Sequence, residues 1–159
     1  MAMRYFKNPN DSNKVYGYDS ATQASLVAVA VAGAWTEVTG SWPPPAPAPT
    51  LAQQAAALLS GTVTVTSAST PSLNGTYTIT AADQAHLDAE IVSILLNGTF
   101  ADGTSTVEWP DTANPPVNHA FTVAQFKTFA SAIAAFVAAC SKCINGVSTT
   151  LPSNQLSIP

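Results

Sequence analysis

The sequence predicts an α+β protein with two parts and a proline-rich segment between them. Three observations lead to this fold class: segments whose apolar residues recur with the period of a helix, segments whose apolar residues alternate as in a strand, and the run Trp42-Pro43-Pro44-Pro45-Ala46-Pro47-Ala48-Pro49. Such a run cannot form the interior of a sheet or helix and favours an extended rod of about 3.1 Å per residue. The expected organisation is an N-terminal ββα docking unit (1–42), a linker (43–49), an α+β domain with an antiparallel three-stranded sheet and a long C-terminal helix (50–146), and an uncharged tail (147–159).

Four helices are predicted from start and stop signals, over about 21–32, 51–60, 82–97 and 123–145. Three of the starts have the spacing of a capping box, in which a hydroxyl and a glutamine satisfy each other's backbone N–H groups. These pairs are Ser20 with Gln23, Thr50 with Gln53, and Thr122 with Gln125. Phe121 and Phe126 flank the last start at the spacing of a hydrophobic staple. Glycines at the stops, where a left-handed residue is favoured, are Gly33, Gly61, Gly98 and Gly146.

The strands are predicted as two hairpins and one further strand. The first hairpin pairs 4–6 with 15–18 across a polar turn, and the second pairs 62–66 with 76–80. The second hairpin alternates strictly between threonine and apolar residues, so one of its faces is expected to lie outward. A strand at 105–109 is expected to complete the three-stranded sheet.

The composition indicates a chain that associates with other proteins. Hydrophobic residues make up 47% of the 159 residues and charged residues 9%, against roughly 25% charged in an average soluble domain. The net charge of −4 leaves too few cations for a nucleic-acid patch or a polybasic membrane contact. The longest apolar stretches, 26–35 and 132–140, are shorter than the roughly 20 residues of a membrane span. Because residues 1–7 lead into no apolar segment, we expect synthesis in the cytoplasm.

The N-terminal unit is small enough to be marginally stable alone, so it is expected to need a partner or another copy of the chain. Its aromatic residues are the candidates for docking a partner. They are Tyr5, Phe6, Tyr16, Tyr18, Trp35 and Trp42.

The motif Cys140-Ser141-Lys142-Cys143 is the strongest chemical motif in the chain. A redox-active C-x-x-C places its first thiol at a helix N-terminus, where the helix dipole lowers the thiol pKa. These two cysteines lie at the C-terminal end of the last predicted helix, where the dipole acts in the opposite sense. Three interpretations stay open: small apolar residues on the last turns, a redox role, or an intermolecular disulfide through Cys140 and Cys143. No second pair of thiols or imidazoles is near in sequence, so no metal site is expected.

The remaining titratable residues do not form a recognisable catalytic pattern. His86 shares a helix face with Asp83 and Glu90, which permits an acid–base or metal site but is also typical of a solvated helix face. His119 is expected to make a local hydrogen bond. The acids Asp102, Glu108 and Asp111 do not define the opposed pair that a glycosidase needs, and aspartates at such positions commonly form turns. We therefore expect no enzyme activity, no catalytic residues and no cofactor.

Several segments together resemble the short proteins encoded in tail-fibre regions of tailed bacteriophages. The N-terminal matches are Met3-Arg4-Tyr5-Phe6-Lys7, Lys14-Val15-Tyr16-Gly17-Tyr18-Asp19, and Trp35-Thr36-Glu37-Val38-Thr39-Gly40 followed by Trp42-Pro43-Pro44-Pro45. The C-terminal matches, similar to an uncharacterised domain of that neighbourhood, are Leu73-Asn74-Gly75-Thr76-Tyr77, Asn97-Gly98-Thr99-Phe100, Glu108-Trp109-Pro110-Asp111 and His119-Ala120-Phe121-Thr122-Val123-Ala124-Gln125-Phe126.

The resemblance implies a structural component of the virion near the tail tip, baseplate or fibre attachment region. Its partners would be other tail or fibre proteins, and tail symmetry implies a homo-oligomer. One alternative is a fibre-assembly chaperone that is absent from the mature particle. Another is a host-receptor binding module that uses Trp109 and the loop 67–75. The family brings no catalytic residues.

Overall fold

A computed structural model describes residues 3–11, 14–38 and 46–159 of the chain. The chain divides into two compact units, Met1–Ala48 and Pro49–Pro159, which we call the N-terminal unit and the C-terminal unit. The boundary falls inside the predicted proline-rich linker. Across the described residues the protein has four α-helices and eight strands in small sheets, so the predicted α+β class is confirmed.

The N-terminal unit is an antiparallel three-stranded sheet with one helix. Strands β1 (Met3–Lys7) and β2 (Val15–Asp19) form the predicted hairpin. The short strand β3 (Thr36–Glu37) adds to the other edge of β1, which gives the order β2-β1-β3. Arg4 of β1 donates two hydrogen bonds of 2.7 Å to the Glu37 carboxylate, so a bidentate ion pair ties β3 to the hairpin.

Helix α1 (Ala24–Ala32) begins later than predicted, and the prediction of a capping box at Ser20 is wrong. Gln23 is the N-cap residue, and its side chain accepts a hydrogen bond from the Asp19 N–H at 3.0 Å. The Asp19 carboxylate accepts from the Ala21 N–H at 2.9 Å, so a local aspartate turn occupies the residues where the helix was expected to start. The helix stop also differs, because Gly33 has φ −77° and the left-handed residue is Ala34, with φ 56°.

The C-terminal unit contains the other three helices at nearly the predicted positions. They are α2 (Leu51–Leu59), α3 (Ala81–Asn97) and α4 (Val123–Ile144). The capping boxes at Thr50 and Thr122 are confirmed. Helix α3 begins with a third box, in which Thr80 and Asp83 cap each other. This capping box was not predicted, because its third helical position holds an aspartate and the three predicted boxes have a glutamine there.

The strands of the C-terminal unit form two sheets, and their pairing differs from the expected one. Strands β4 (Thr62–Ser67) and β5 (Gly75–Thr78) form the predicted hairpin. The strand expected at 105–109 is β6 (Thr106–Pro110), but it pairs with β7 (Asn118–Thr122) in a separate antiparallel sheet. The position beside β4 is taken instead by β8 (Gln155–Ile158), which runs parallel to β4.

The uncharged tail 147–159 therefore belongs to the fold of the C-terminal unit. Besides the β4–β8 pairing, the Ser67 hydroxyl donates to the Pro159 carbonyl at 2.6 Å. Thr64 N–H donates to the Asn154 carbonyl at 2.9 Å. Backbone pairing with β4 satisfies the polar groups of this uncharged segment, and Ile158 is buried in the core.

Aromatic rings form the centre of the C-terminal core. Phe121, Phe126 and Phe129 are fully buried, and the centroids of Phe121 and Phe126 lie 6.0 Å apart, which confirms the hydrophobic staple. The apolar stripe of α4 is buried at Phe126, Phe129, Ile133, Phe136 and Cys140, whereas Ile144 at its end is exposed. Helix α2 packs against α4, as the alanine-rich second face of α4 allows.

Within the described part of the chain, one helix, α4, is long and apolar enough to cross a membrane by length and composition. Core helices pass the same test, so this is weak evidence for a span.

Candidate docking surfaces

Most of the aromatic residues predicted to dock a partner hold the N-terminal unit together. Phe6 is only 1% exposed and packs with Val27 and Ala30 of α1, with Tyr18 and Trp35 against them. The assignment of Phe6 as a docking residue is therefore wrong. A side chain buried at the centre of a small core is unavailable to a partner unless the unit opens.

The other aromatic side chains are half-buried and pair with each other or with the backbone. The rings of Tyr16 and Trp35 lie 5.4 Å apart, and the Tyr16 hydroxyl donates to the Asp11 carboxylate. Tyr5 lies over Gly17, its partner in the β1–β2 register, so closely that a Cβ at Gly17 would stand 2.7 Å from the Tyr5 ring. A larger residue at Gly17 would require the Tyr5 ring to move. Trp42 lies outside the described residues.

Within the described part of the N-terminal unit, helix α1 exposes apolar side chains on both sides of its buried residues. Leu26, Val29 and Val31 are between 45% and 64% exposed, and only Val27 and Ala30 of the helix are buried. The helix has no charged or amide side chain from Ala24 to Ala32. A helix that is apolar on all sides is typically buried on all sides. The signal for these exposed residues in the sequence is the uninterrupted apolar run of the helix, which contains none of the aromatic docking candidates.

A second apolar surface lies on the C-terminal unit between α3 and α4. Leu87, Ile91 and Leu95 of α3 face Ala130 and Ala134 of α4 across a groove of about 340 Å³, which we call the α3–α4 groove. Beside it stand the side chains of Val92, Leu95 and Leu96, which are between 52% and 78% exposed. Exposed apolar side chains this close together are typical of a protein contact surface.

The α3–α4 groove contains one acid and one base. Asp88 lies on its α3 side and Lys127 on its α4 side, and both are exposed. Among the described residues, neither side chain has an ion pair or hydrogen bond with another residue. The remaining lining residues are uncharged.

The two cysteines lie inside the C-terminal unit. Cys140 and Cys143 are both buried reduced thiols, and the Cys143 thiol donates to the Thr150 carbonyl at 3.0 Å. Burial raises the pKa of the Cys140 thiol, which disfavours the reactive thiolate. A disulfide to another chain would require this end of α4 to leave the core. The burial therefore argues against the intermolecular cross-link and for the small apolar role.

The His86 side chain is 62% exposed, as expected for a solvated helix face, although its neighbours Glu90 and Trp109 are buried. His86 lies 3.6 Å from the Glu90 carboxylate and packs on Trp109, with ring centroids 4.7 Å apart. Glu90 is 7% exposed and accepts a hydrogen bond from the Ala101 N–H at 2.9 Å. This contact fastens the loop after α3 to the helix. No cluster of three or more His, Cys, Asp or Glu side chains able to hold a metal ion was found in the described ranges.

His119 makes a hydrogen bond, but the partner lies 47 residues away in the sequence, so the contact is not the local one that was expected. Its Nδ1 lies 2.6 Å from the Ser72 carbonyl oxygen, and its Nε2 lies 3.4 Å from the Asp111 carboxylate. The Tyr77 hydroxyl donates to the Leu73 carbonyl at 2.7 Å beside it. These contacts join the turn before β5 to the β6–β7 hairpin. His119 therefore has a structural role, because its contacts hold these two segments together.

The three acids near β6 act separately. Asp102 accepts from the Thr104 N–H and hydroxyl, and Asp111 accepts from the N–H groups of Ala113 and Val117. Both aspartates form turns, while Glu108 is exposed on β6. Trp109 is buried against Phe126 and Phe129, so it offers no ring for stacking on a ligand.

Comparison with known proteins found no matching family model, no matching curated protein and no matching solved structure. The resemblance to proteins of phage tail-fibre regions therefore stays a prediction from the quoted segments.

Proposed function

We propose that this chain is a structural subunit that works by packing against other proteins. The observation that carries the proposal is the exposure of apolar side chains on a helix free of charge: Leu26 and Val29 lie on one side of the buried residues of α1, and Val31 lies on the other. Fully covering a valine or leucine side chain contributes about 1.5–3 kcal/mol. A partner that covered these three residues would gain several kcal/mol, and the small N-terminal unit would be stabilised by the same contact.

The resemblance to phage tail-fibre-region proteins gives this packing role its proposed setting. We propose that the chain is a virion component at the tail tip, baseplate or fibre attachment region, made in the host cytoplasm and bound to other tail or fibre proteins. The low charge supports this role, since a surface with few charged groups loses little solvation when a partner covers it. An enzyme role has no supporting observation among the described side chains.

Mass spectrometry of purified virions tests the structural role. The chain should be present in particles of a phage that encodes it, at a constant ratio to the other tail proteins. A chain that is abundant in infected cells but missing from particles would instead support the fibre-assembly chaperone. The receptor-binding alternative relied on Trp109, whose burial removes the proposed stacking surface.

A variant of α1 tests whether its exposed valines make the contact with a partner. The double substitution Val29→Ser and Val31→Ser should reduce incorporation of the chain into particles at least tenfold, because it removes most of the apolar contact area. The control is Val147→Ser in the C-terminal unit, where a valine that is 75% exposed should be replaceable without effect. Equal incorporation of both variants would contradict a docking role for α1.

A further inference from the structure

We propose that the α3–α4 groove is a two-fold interface between two copies of this chain, with Asp88 of each copy paired to Lys127 of the other. The groove shares no residue with the exposed apolar side chains of α1, so the inference does not depend on the function proposed above.

The groove runs between antiparallel helices. At one end Leu95 and Ile91 of α3 share the lining with Lys127 of α4, and at the other end Gln84 shares it with Ala138. Residue numbers therefore fall along α3 while they rise along α4. A two-fold axis perpendicular to such a groove at its middle exchanges its two ends.

The positions of the two charges suit this exchange. Lys127 lies at the Leu95 end, whereas Asp88 lines the groove from its middle towards the Gln84 end. Parallel superposition of two copies would bring like charges together. The two-fold arrangement brings Lys127 of one copy to Asp88 of the other, and symmetry makes the pair twice.

The same arrangement covers the apolar side chains that stand beside the groove. Val92, Leu95 and Leu96 follow the spacing of residues on one side of a helix, and all three are exposed. In a two-fold pair, the α3 of one copy would lie over the groove of the other. The facing side of α4 offers Ala130, Ala134 and Ala138, whose small side chains allow helix axes to approach to about 8 Å, the close end of the usual range.

The opposite charges of Asp88 and Lys127 favour a second copy of the chain as the partner that covers the α3–α4 groove. The described residues leave Asp88 and Lys127 unpaired, and the two-fold axis places each of them opposite the other charge on the second copy. An unrelated partner would need its own base and acid at a matching separation. A second copy has them by symmetry.

Charge reversal tests the inference on the full chain by sedimentation equilibrium. The wild-type chain should dimerise. Asp88→Lys and Lys127→Asp should each raise the dimer dissociation constant by tenfold or more, since each creates two like-charge contacts. The double variant Asp88→Lys with Lys127→Asp should restore the dissociation constant to within about threefold of wild type, because the pairs re-form with exchanged signs.

Two controls make the result decisive. Glu108→Lys changes the net charge as Asp88→Lys does, on an exposed strand residue outside the groove, and should leave the dimer intact. The α1 variant Val29→Ser with Val31→Ser should also still dimerise, which separates this interface from the proposed docking face. A wild-type chain that stays monomeric over the whole concentration range, or a double variant as weak as the single variants, would overturn the inference.

Discussion

Replacing Phe129 by alanine should destabilise the C-terminal unit by about 4–5 kcal/mol. Phe129 is fully buried, and its ring centroid lies 4.9 Å from Phe121, 5.0 Å from Tyr77, 6.0 Å from Phe126 and 6.4 Å from Trp109. A buried Phe→Ala substitution typically costs about 3–5 kcal/mol. Four ring neighbours place this site near the top of that range, because each lost aromatic pair is worth about 0.5–1.5 kcal/mol beyond the buried area.

Urea denaturation followed by far-UV circular dichroism measures this cost. Phe129→Leu keeps most of the apolar volume but removes the ring, so it should cost about 1–2 kcal/mol, clearly less than alanine. Val147→Ala, at a side chain 75% exposed, should change the free energy of unfolding by less than about 0.5 kcal/mol. A Phe129→Ala cost below about 2 kcal/mol would refute the view that this ring is the centre of the core.

Three further predictions concern single polar and backbone features. Tyr77→Phe should cost about 1–3 kcal/mol in the same denaturation assay, since it leaves the buried Leu73 carbonyl without its 2.7 Å hydrogen bond. Gly98→Ala should cost about 1 kcal/mol by thermal melting, because φ there is 77° and a Cβ would meet no neighbour within 4 Å, so the cost is one of backbone conformation. The pKa of Asp111 is lowered, mainly by the hydrogen bond that its carboxylate accepts from the Val117 N–H. The ionised carboxylate therefore stabilises the fold above the unfolded pKa of about 4. This contribution is lost as the pH falls through the folded pKa. Asp111→Asn should therefore flatten the acid limb of a stability–pH profile, and an unchanged limb would contradict the assignment.

The helices of the C-terminal unit were predictable because their signals are local. A capping box needs only residues three positions apart, and the boxes at Thr50 and Thr122 form as expected. The stripe on α4 needs only a repeat of 3.6 residues. At Ser20 the local rule failed, because the adjacent Asp19 offers a competing local hydrogen bond that delays the helix start.

Strand partners were less predictable, since pairing is decided between distant segments. The strand near Trp109 was located correctly, but alternation within a strand does not identify its neighbour. Burial of both His119 and Phe121 makes β7 a partner for β6. The segment Gln155–Ile158 has too weak a pattern to stand out, and it becomes a strand because β4 offers it an open edge.

The candidate docking surfaces were also only partly predictable from the sequence. The aromatic residues of the N-terminal unit were identified from the sequence, but only the structure shows that Phe6 is core while Leu26, Val29 and Val31 are exposed. A helix with apolar residues on every side does not indicate which side a neighbour will cover.

The sequence by itself determined the α+β class, the division into two units and the positions of the long helices. Each of these depends on composition or on residues a few positions apart. Tertiary structure alone decided that the tail becomes β8, that Glu90 is buried against the loop at Ala101, and that Asp88 and Lys127 share one groove. These outcomes depend on which distant segments exclude water together, and no local pattern encodes that choice.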